Sequence, residues 1–266
     1  MKTTEWSTIL APRRPDAHTR SRRDVTVATL ISAGLFAACS GCAATGNAPS
    51  TANYVFVYLT TGPQSARMTN EQRAAIFEGH IANIHRLADE GKLLIAGPFY
   101  HPRDATWRGI FVLDVPGVEE AGRLVATDPG VQAEVFVPEL HPFVAATSLR
   151  TVPELERQQT ATQPASQPAG SGVRGYVMIT AQDADCAGRA LTTAGLSPQV
   201  LWCGRFADRS GAGGVFVLDA QQADEVIAAL DRVHADLGAG PVDAWWSSRC
   251  LTGLPRSAAV LPPRQR

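Results

Sequence analysis

The chain has 266 residues, a formal net charge of −1, 45% hydrophobic residues and 18% charged residues. That length and apolar fraction suit one large domain or two small ones with packed cores. A balance this close to neutral lacks the basic excess of a nucleic-acid binder. No phosphate loop, dinucleotide fingerprint, zinc spacing or serine-nucleophile elbow is present, so neither a cofactor nor a metal is expected.

Residues 1–23 are polar and carry Lys2, Arg13, Arg14, Arg20, Arg22 and Arg23, followed by an apolar run over 25–38 that is rich in Ala, Ser and Gly. Fourteen residues are too few to span a bilayer, which needs about 20. A basic region, a short apolar region and a small-residue exit describe an export signal. The pair Arg22-Arg23 resembles a twin-arginine signal. Leu35-Phe36-Ala37-Ala38-Cys39 resembles a lipoprotein box with Cys39 as the lipidated residue, while Gly41-Cys42-Ala43 offers a cleavage site for soluble release. Residues 1–44 are therefore expected to be a cleaved or lipidated leader. The protein is placed in the periplasm or cell envelope, touching membrane only through a lipid anchor. Subtracting the leader's six basic and three acidic residues leaves 18 basic and 22 acidic ones, a formal −4.

Two dense blocks follow, over 52–147 and 173–253. Residues 148–172 are read as a disordered linker, because Pro164 and Pro168 interrupt a Gln/Thr/Ser background. Residues 254–266 are read as a disordered tail. In the first block the pattern predicts a strand over 54–59, a helix over 70–90 closed by Gly91, strands over 92–99 and 109–114, a helix over 118–127 and a strand over 133–143. The second block predicts a strand over 176–179, a helix over 183–194 closed by Gly195, strands over 200–206 and 215–219, a helix over 221–237 and a strand over 242–251. Val215-Phe216-Val217-Leu218-Asp219 parallels Ile110-Phe111-Val112-Leu113-Asp114 almost letter for letter. Each block is then β-α-β-β-α-β, a ferredoxin-like unit, and the fold class is α+β. Helices on one face of each sheet leave the other bare. Either the two blocks cover each other as an intrachain pseudo-dimer, or each finds another chain in a homodimer.

Cys186, Cys203 and Cys250 remain after the leader. They read as small buried hydrophobes or as one bridge plus a thiol, with the pairing open.

The first helix places Phe77, His80, Ile81, Ile84, Leu87 and Ala88 on one face, so His80 points into apolar surroundings. A neutral imidazole held there by a carboxylate can act as general base or acid near neutral pH. Asp128, just past the second helix, could fix the tautomer; a backbone carbonyl satisfying a core histidine is the other reading. Asp89 lies too far along the helix to pair with His80, His85 lies off the apolar stripe, and His141 ends a strand. His101 and Arg103 sit in a loop where they could meet an anionic ligand.

Phe77-Glu78-Gly79-His80, the run from Ala88 to Phe99 with Gly97-Pro98, the strand from Ile110 to Asp114, Asp128-Pro129 and His141-Pro142-Phe143 occur in one order. On these stretches the first block resembles the YciI-like, or YCII-related, family of the dimeric α/β-barrel superfamily. The resemblance implies a ferredoxin-like fold, dimeric assembly and a His-Asp pair, here His80 and Asp128. It also implies a small-molecule substrate, with dehalogenation or isomerisation of small acids known for some relatives. Tyr58, Gly97, Pro98, His101 and Arg103 are the candidate pocket residues. Gly130 stands where the family often has an aromatic residue. The second block has no histidine in its first helix, Arg205 where Pro98 stands and no Asp-Pro pair, so at most one site per chain is expected. The alternative is a non-catalytic envelope lipoprotein that binds a small ligand or serves assembly.

Overall fold

The computed structural model describes residues 52–100, 102, 104–162, 172–207, 213–220, 222–232, 242–256 and 261–263. The predicted leader with Cys39, and the loop residues His101 and Arg103, lie outside the described residues.

Strand β1 (Ala52–Thr61) leads into helix α1 (Asn70–Asp89). Thr69 and Gln72 cap α1 reciprocally, each side chain bonding the other's backbone N–H. The helix stops at Gly91, whose φ of +69° suits glycine; the N–H groups of Gly91 and Lys92 turn back to the carbonyls of Ala88 and Leu87. Strands β2 (Leu93–Tyr100) and β3 (Trp107–Leu113) follow, then helix α2 (Val118–Val125), a single turn α3 (Pro129–Gln132) and strand β4 (Phe136–Ala145). Helix α4 (Val152–Thr162) lies between the halves. The second half contains β5 (Val173–Ala181), helix α5 (Ala184–Thr193), β6 (Val200–Phe206), β7 (Gly214–Leu218), helix α6 (Ala223–Asp231) and β8 (Val242–Ser248).

All strand pairs are antiparallel, and the eight strands close into one barrel in the order β1-β3-β2-β8-β5-β7-β6-β4. Within each half the order is the same, fourth-first-third-second. The cover that each bare sheet needs is supplied within the chain. Two seams join the halves. At one, Phe99 pairs with Trp245 and Tyr100 with Ala244; at the other, Phe143, Val144 and Ala145 pair with Phe206, Arg205 and Gly204.

Strand alternation sorts the apolar side chains into three clusters. Phe56, Phe143, Tyr176, Met178, Trp202 and Trp245 fill the barrel interior. Val55, Val57, Phe111 and Leu113 face outward onto α1 and α2, where Ile84, Leu87, Ala121 and Val125 meet them. Val177, Ile179, Phe216 and Leu218 do the same under α5 and α6. Each such side chain contributes roughly 1.5–3 kcal/mol on burial.

Residues 148–162 depart from the predicted linker. Leu149–Thr151 form a short 3₁₀ turn and α4 follows, with Leu149 and Val152 sealed in the barrel-interior cluster and Leu155 against it. Leu149, Val152 and Leu155 recur three residues apart ahead of Arg157, so only the stretch beyond them has linker composition. The predicted tail also departs: Leu254 joins the same cluster and Pro262 is buried. The helix predicted over 221–237 is Ala223–Asp231, with 233–241 outside the described residues. Cys186, Cys203 and Cys250 remain thiols, and burial pushes those of Cys203 and Cys250 up to about 12. No helix among the described residues is long and apolar enough to cross a membrane.

This packing sets the cost of changes at the seams. A Cβ at Gly97 would come within 1.9 Å of the Trp246 carbonyl oxygen, and one at Gly204 within 2.5 Å of that of Val144. Gly97→Ala and Gly204→Ala should each cost about 1–3 kcal/mol by urea unfolding, whereas Gly117→Ala, with nothing within 4 Å, should cost far less. Burial of the Glu156 carboxyl on α4 raises its pKa, with a hydrogen bond to Ser248 opposing. A raised native pKa means that the folded chain holds the proton longer, so this contribution is present below the ordinary carboxylate range and lost as pH rises. Glu156→Gln should therefore flatten the fall in stability above about pH 4.5 in thermal melts across pH.

Candidate functional site

Asp128 is the N-cap of α3, and Pro129 occupies the first helical position. One carboxylate oxygen, Oδ1, accepts from the Gly130 N–H at 2.7 Å. The other, Oδ2, lies 2.7 Å from His80 Nδ1 and 3.4 Å from Asn83 Nδ2, which donates to it. Asp128 is completely buried and His80 is 4% exposed. A carboxylate oxygen at Nδ1 is an acceptor for that ring nitrogen, and Nε2 is the second nitrogen of the imidazole. Asn83 is held in turn: its Oδ1 accepts from Arg86 Nη2 at 2.8 Å and from the Thr127 hydroxyl at 3.0 Å. Asn83 lies three residues after His80 on α1, the spacing that puts two side chains on one helix face.

Close contact between α1 and α3 makes this geometry possible. A Cβ at Gly79 would come within 2.9 Å of the Pro129 ring. After α3, Glu134 adopts a left-handed φ of +53° and redirects the chain into β4. This turn sets the Phe136 ring 5.1 Å from the imidazole, while Phe111 stacks at 5.9 Å and Phe77 lies at 6.0 Å. Gly130 is required here, because a Cβ would come within 2.5 Å of the Phe136 ring. The aromatic ring beside the pair thus comes from Phe136 rather than from position 130.

His80 lines a shallow cleft of about 30 Å³, partly open to solvent, between α1 and the outer face of the sheet. Leu59, Ile81 and Ile84 give it apolar walls, Gly97, Pro98 and Gly109 contribute backbone, and Arg108 supplies a cation. Arg108 is exposed and makes no ion pair among the described residues. The structure thus brings together His80, Asp128, Gly97 and Pro98. Tyr58 is corrected: it faces the barrel interior, where its hydroxyl bonds Thr180 at 2.8 Å and burial pushes its pKa well above the ordinary phenol range. Strand alternation is the cause, for Leu59 takes the cleft side. Asp89 is exposed at the end of α1, as expected, and His141 lies among rings, 4.9 Å from Phe206 and 5.8 Å from Tyr58. Sequence reasoning missed Arg108, whose only signal is its place one residue before the glycine that pairs with Pro98. It missed Asn83 as well, although the i, i+3 spacing from His80 could have found it. Among the described residues no group of three His, Cys, Asp or Glu side chains is placed to hold a metal ion.

Residues 54–143 match the YCII-related domain. This YCII-related region holds all of the residues that line the cleft. Among solved structures the chain is similar to a chlorite dismutase variant from Candidatus Nitrospira defluvii, at 11% identity and a TM-score of 0.45, covering 79% of this chain and 96% of that one. It is also similar to a heme-binding protein from Thermus thermophilus, at 9% identity and a TM-score of 0.38, covering 75% and 93%. No curated protein matches the chain.

Removing the Asp128 carboxylate leaves the His80, Asn83 and Gly130 donors without an acceptor. Asp128→Ala should cost about 3–5 kcal/mol in urea unfolding, as breaking a buried pair does. Asp128→Asn, which keeps one acceptor oxygen, should cost clearly less.

Proposed function

We propose that the protein is an exported YciI-like enzyme with one acid–base site per chain, acting on a small organic acid in a lyase, dehalogenase or isomerase type of reaction. The observation that carries this reading is the 2.7 Å contact between His80 Nδ1 and Asp128 Oδ2 at a histidine that lines a cleft. With Nδ1 bonded to the carboxylate, Nε2 can take a proton from a bound substrate. Asp128 then balances the imidazolium charge, and the same nitrogen returns the proton to the product. Such a positioned base contributes roughly 10²–10⁴-fold in rate. Arg108 meets the anionic group of the acid, and Ile81, Ile84 and Phe136 keep water from its carbon skeleton.

Two further statements belong to the same proposal. The halves are tandem ferredoxin-like units, of which only the first keeps the pair; their shared strand order supports this. Residues 1–44 direct export, with Cys39 as the lipidation site or the leader cleaved for soluble release; the Arg22-Arg23 pair and the short apolar run support this. A second reading, ligand binding without turnover, is favoured by the tight surroundings of His80, which is 4% exposed among three phenylalanine rings.

A panel of small halogenated, unsaturated and keto acids, assayed for turnover and for binding, separates the two readings. On an acid that is turned over, His80→Ala should lower kcat by about 10²-fold or more, and Arg108→Ala should act mainly through KM. Undiminished turnover by His80→Ala rules out the proposed base. Saturable binding that Arg108→Ala weakens, with no turnover of any acid, leaves the ligand-binding reading.

A further inference from the structure

In the second half, the region that corresponds to the cleft is closed, and strand pairing fixes the correspondence. Pro98 lies opposite Gly109, and Arg205 lies opposite Gly214, each one residue beyond the close-packed glycine of its strand. In the first half these backbones floor an open cleft. In the second half Ala184, the first residue of α5, stands over the floor, so that a Cβ at Gly214 would come within 2.9 Å of its methyl. The Arg205 side chain fills the remaining space and is 6% exposed. Its Nη2 pairs with Asp185 in the first turn of α5. Its Nε donates to the backbone carbonyl of Pro262 at 2.7 Å, far along the chain. Pro262 is buried, and Leu261 packs half-buried against the cluster beneath α5 and α6. The third group, Nη1, is buried with no hydrogen-bond partner among the described residues.

We propose that the slot over Arg205 is a docking site for this chain's own C-terminal segment, which seats through Leu261 and Pro262 and acts as a detachable strap over the second half. The occupant is already seated there, and the chemistry suits it. A guanidinium committed to Asp185 presents its Nε to a neutral carbonyl, and proline at 262 brings a carbonyl with no N–H of its own to satisfy. Among the described residues the hold is one hydrogen bond, one buried ring and one half-buried leucine, with Pro263 exposed beyond them. Segments with few buried apolar contacts open locally long before the whole fold does. The chain before the strap is fastened separately, because Arg256 bonds the Pro198 carbonyl at 2.6 Å and Asp219 at 3.0 Å. Lifting the strap therefore uncovers Arg205 without loosening β8 or the 3₁₀ turn after it. This inference does not depend on the reading of His80.

Labelling with an arginine-directed dicarbonyl, followed by peptide mass mapping, tests it on three chains: the full chain, a chain ending at Arg256, and the Leu261→Asp variant. In the full chain Arg205 should react much more slowly than the exposed Arg123. Both altered chains should raise the Arg205 rate by about fivefold or more, as labelling that follows the open population requires, with Arg123 unchanged. A synthetic peptide of residues 254–266, added to the shortened chain, should slow Arg205 again. Equal Arg205 rates in the full and shortened chains, both with native near-ultraviolet circular dichroism, overturn the proposal. If the shortened chain does not fold, the Leu261→Asp variant decides, since it unseats the leucine and keeps the rest; an unchanged Arg205 rate there overturns it equally.

Discussion

Everything in this fold depends on two places where backbones meet without side chains between them. The barrel closes only if β2 reaches β8 and β4 reaches β6, and both seams are short. Gly97 lies against the Trp246 carbonyl and Gly204 against the Val144 carbonyl at distances no Cβ could share. Hydrogen bonds then use the approach. The Trp245 indole N–H donates to the Gly97 carbonyl at 3.1 Å, and the Ser247 hydroxyl to that of Ala96 at 2.8 Å. At the other seam the Ala146 N–H reaches the Cys203 carbonyl at 2.9 Å, and the Ala207 N–H that of Pro142 at 2.7 Å. An open seam would leave these donors unpaired and expose the aromatic interior. Closure therefore carries both a polar and an apolar part of the stability.

Closure also decides where chemistry can occur. The interior is packed with rings, and the Tyr58–Thr180 hydrogen bond crosses it from one half to the other. With burial holding the Tyr58 phenol protonated, that hydroxyl serves as a tie between halves. The cleft beside His80 lies instead on the outer face, where a helix rides over the sheet. One residue of strand alternation separates the two environments, Tyr58 inside and Leu59 outside.

What can be read in the sequence follows from the range of the interactions involved. The helix end at Gly91, the apolar face of α1 and the cap that Asp128 makes with Gly130 are local, and each has a local signature. The His80–Asp128 pair spans 48 positions, and helix periodicity alone leaves a core histidine with a carbonyl partner open; only motif resemblance joins the two residues. Tyr58 falls on the opposite face from the one expected, because which side of β1 meets α1 depends on the register of the whole sheet. Arg108 is invisible for a related reason, since its place at the cleft follows from the pairing of β3 with β2. For the segment from Leu149, composition is the wrong guide. Its glutamines and alanines suggest a linker, yet three apolar residues at helical spacing suffice to seat it under the barrel.

The two halves show how little sequence change separates an open cleft from a closed one. Both keep the seam glycine and the glycine on the facing strand, because the barrel needs them wherever it closes. What differs is the residue after the seam glycine. Proline at 98 has a short ring and no N–H, so it leaves space above the sheet for a histidine on α1 to overlook. Arginine at 205 fills the equivalent space and brings a charge that cannot be left bare below the surface. That charge needs a carboxylate from the neighbouring helix, which Asp185 supplies, and a further acceptor, which the chain supplies from Pro262. A floor residue that demands such partners draws the helix and the C-terminal segment down onto the sheet. In the second half the Arg205 side chain and its two partners occupy the space that stays open above Pro98 in the first.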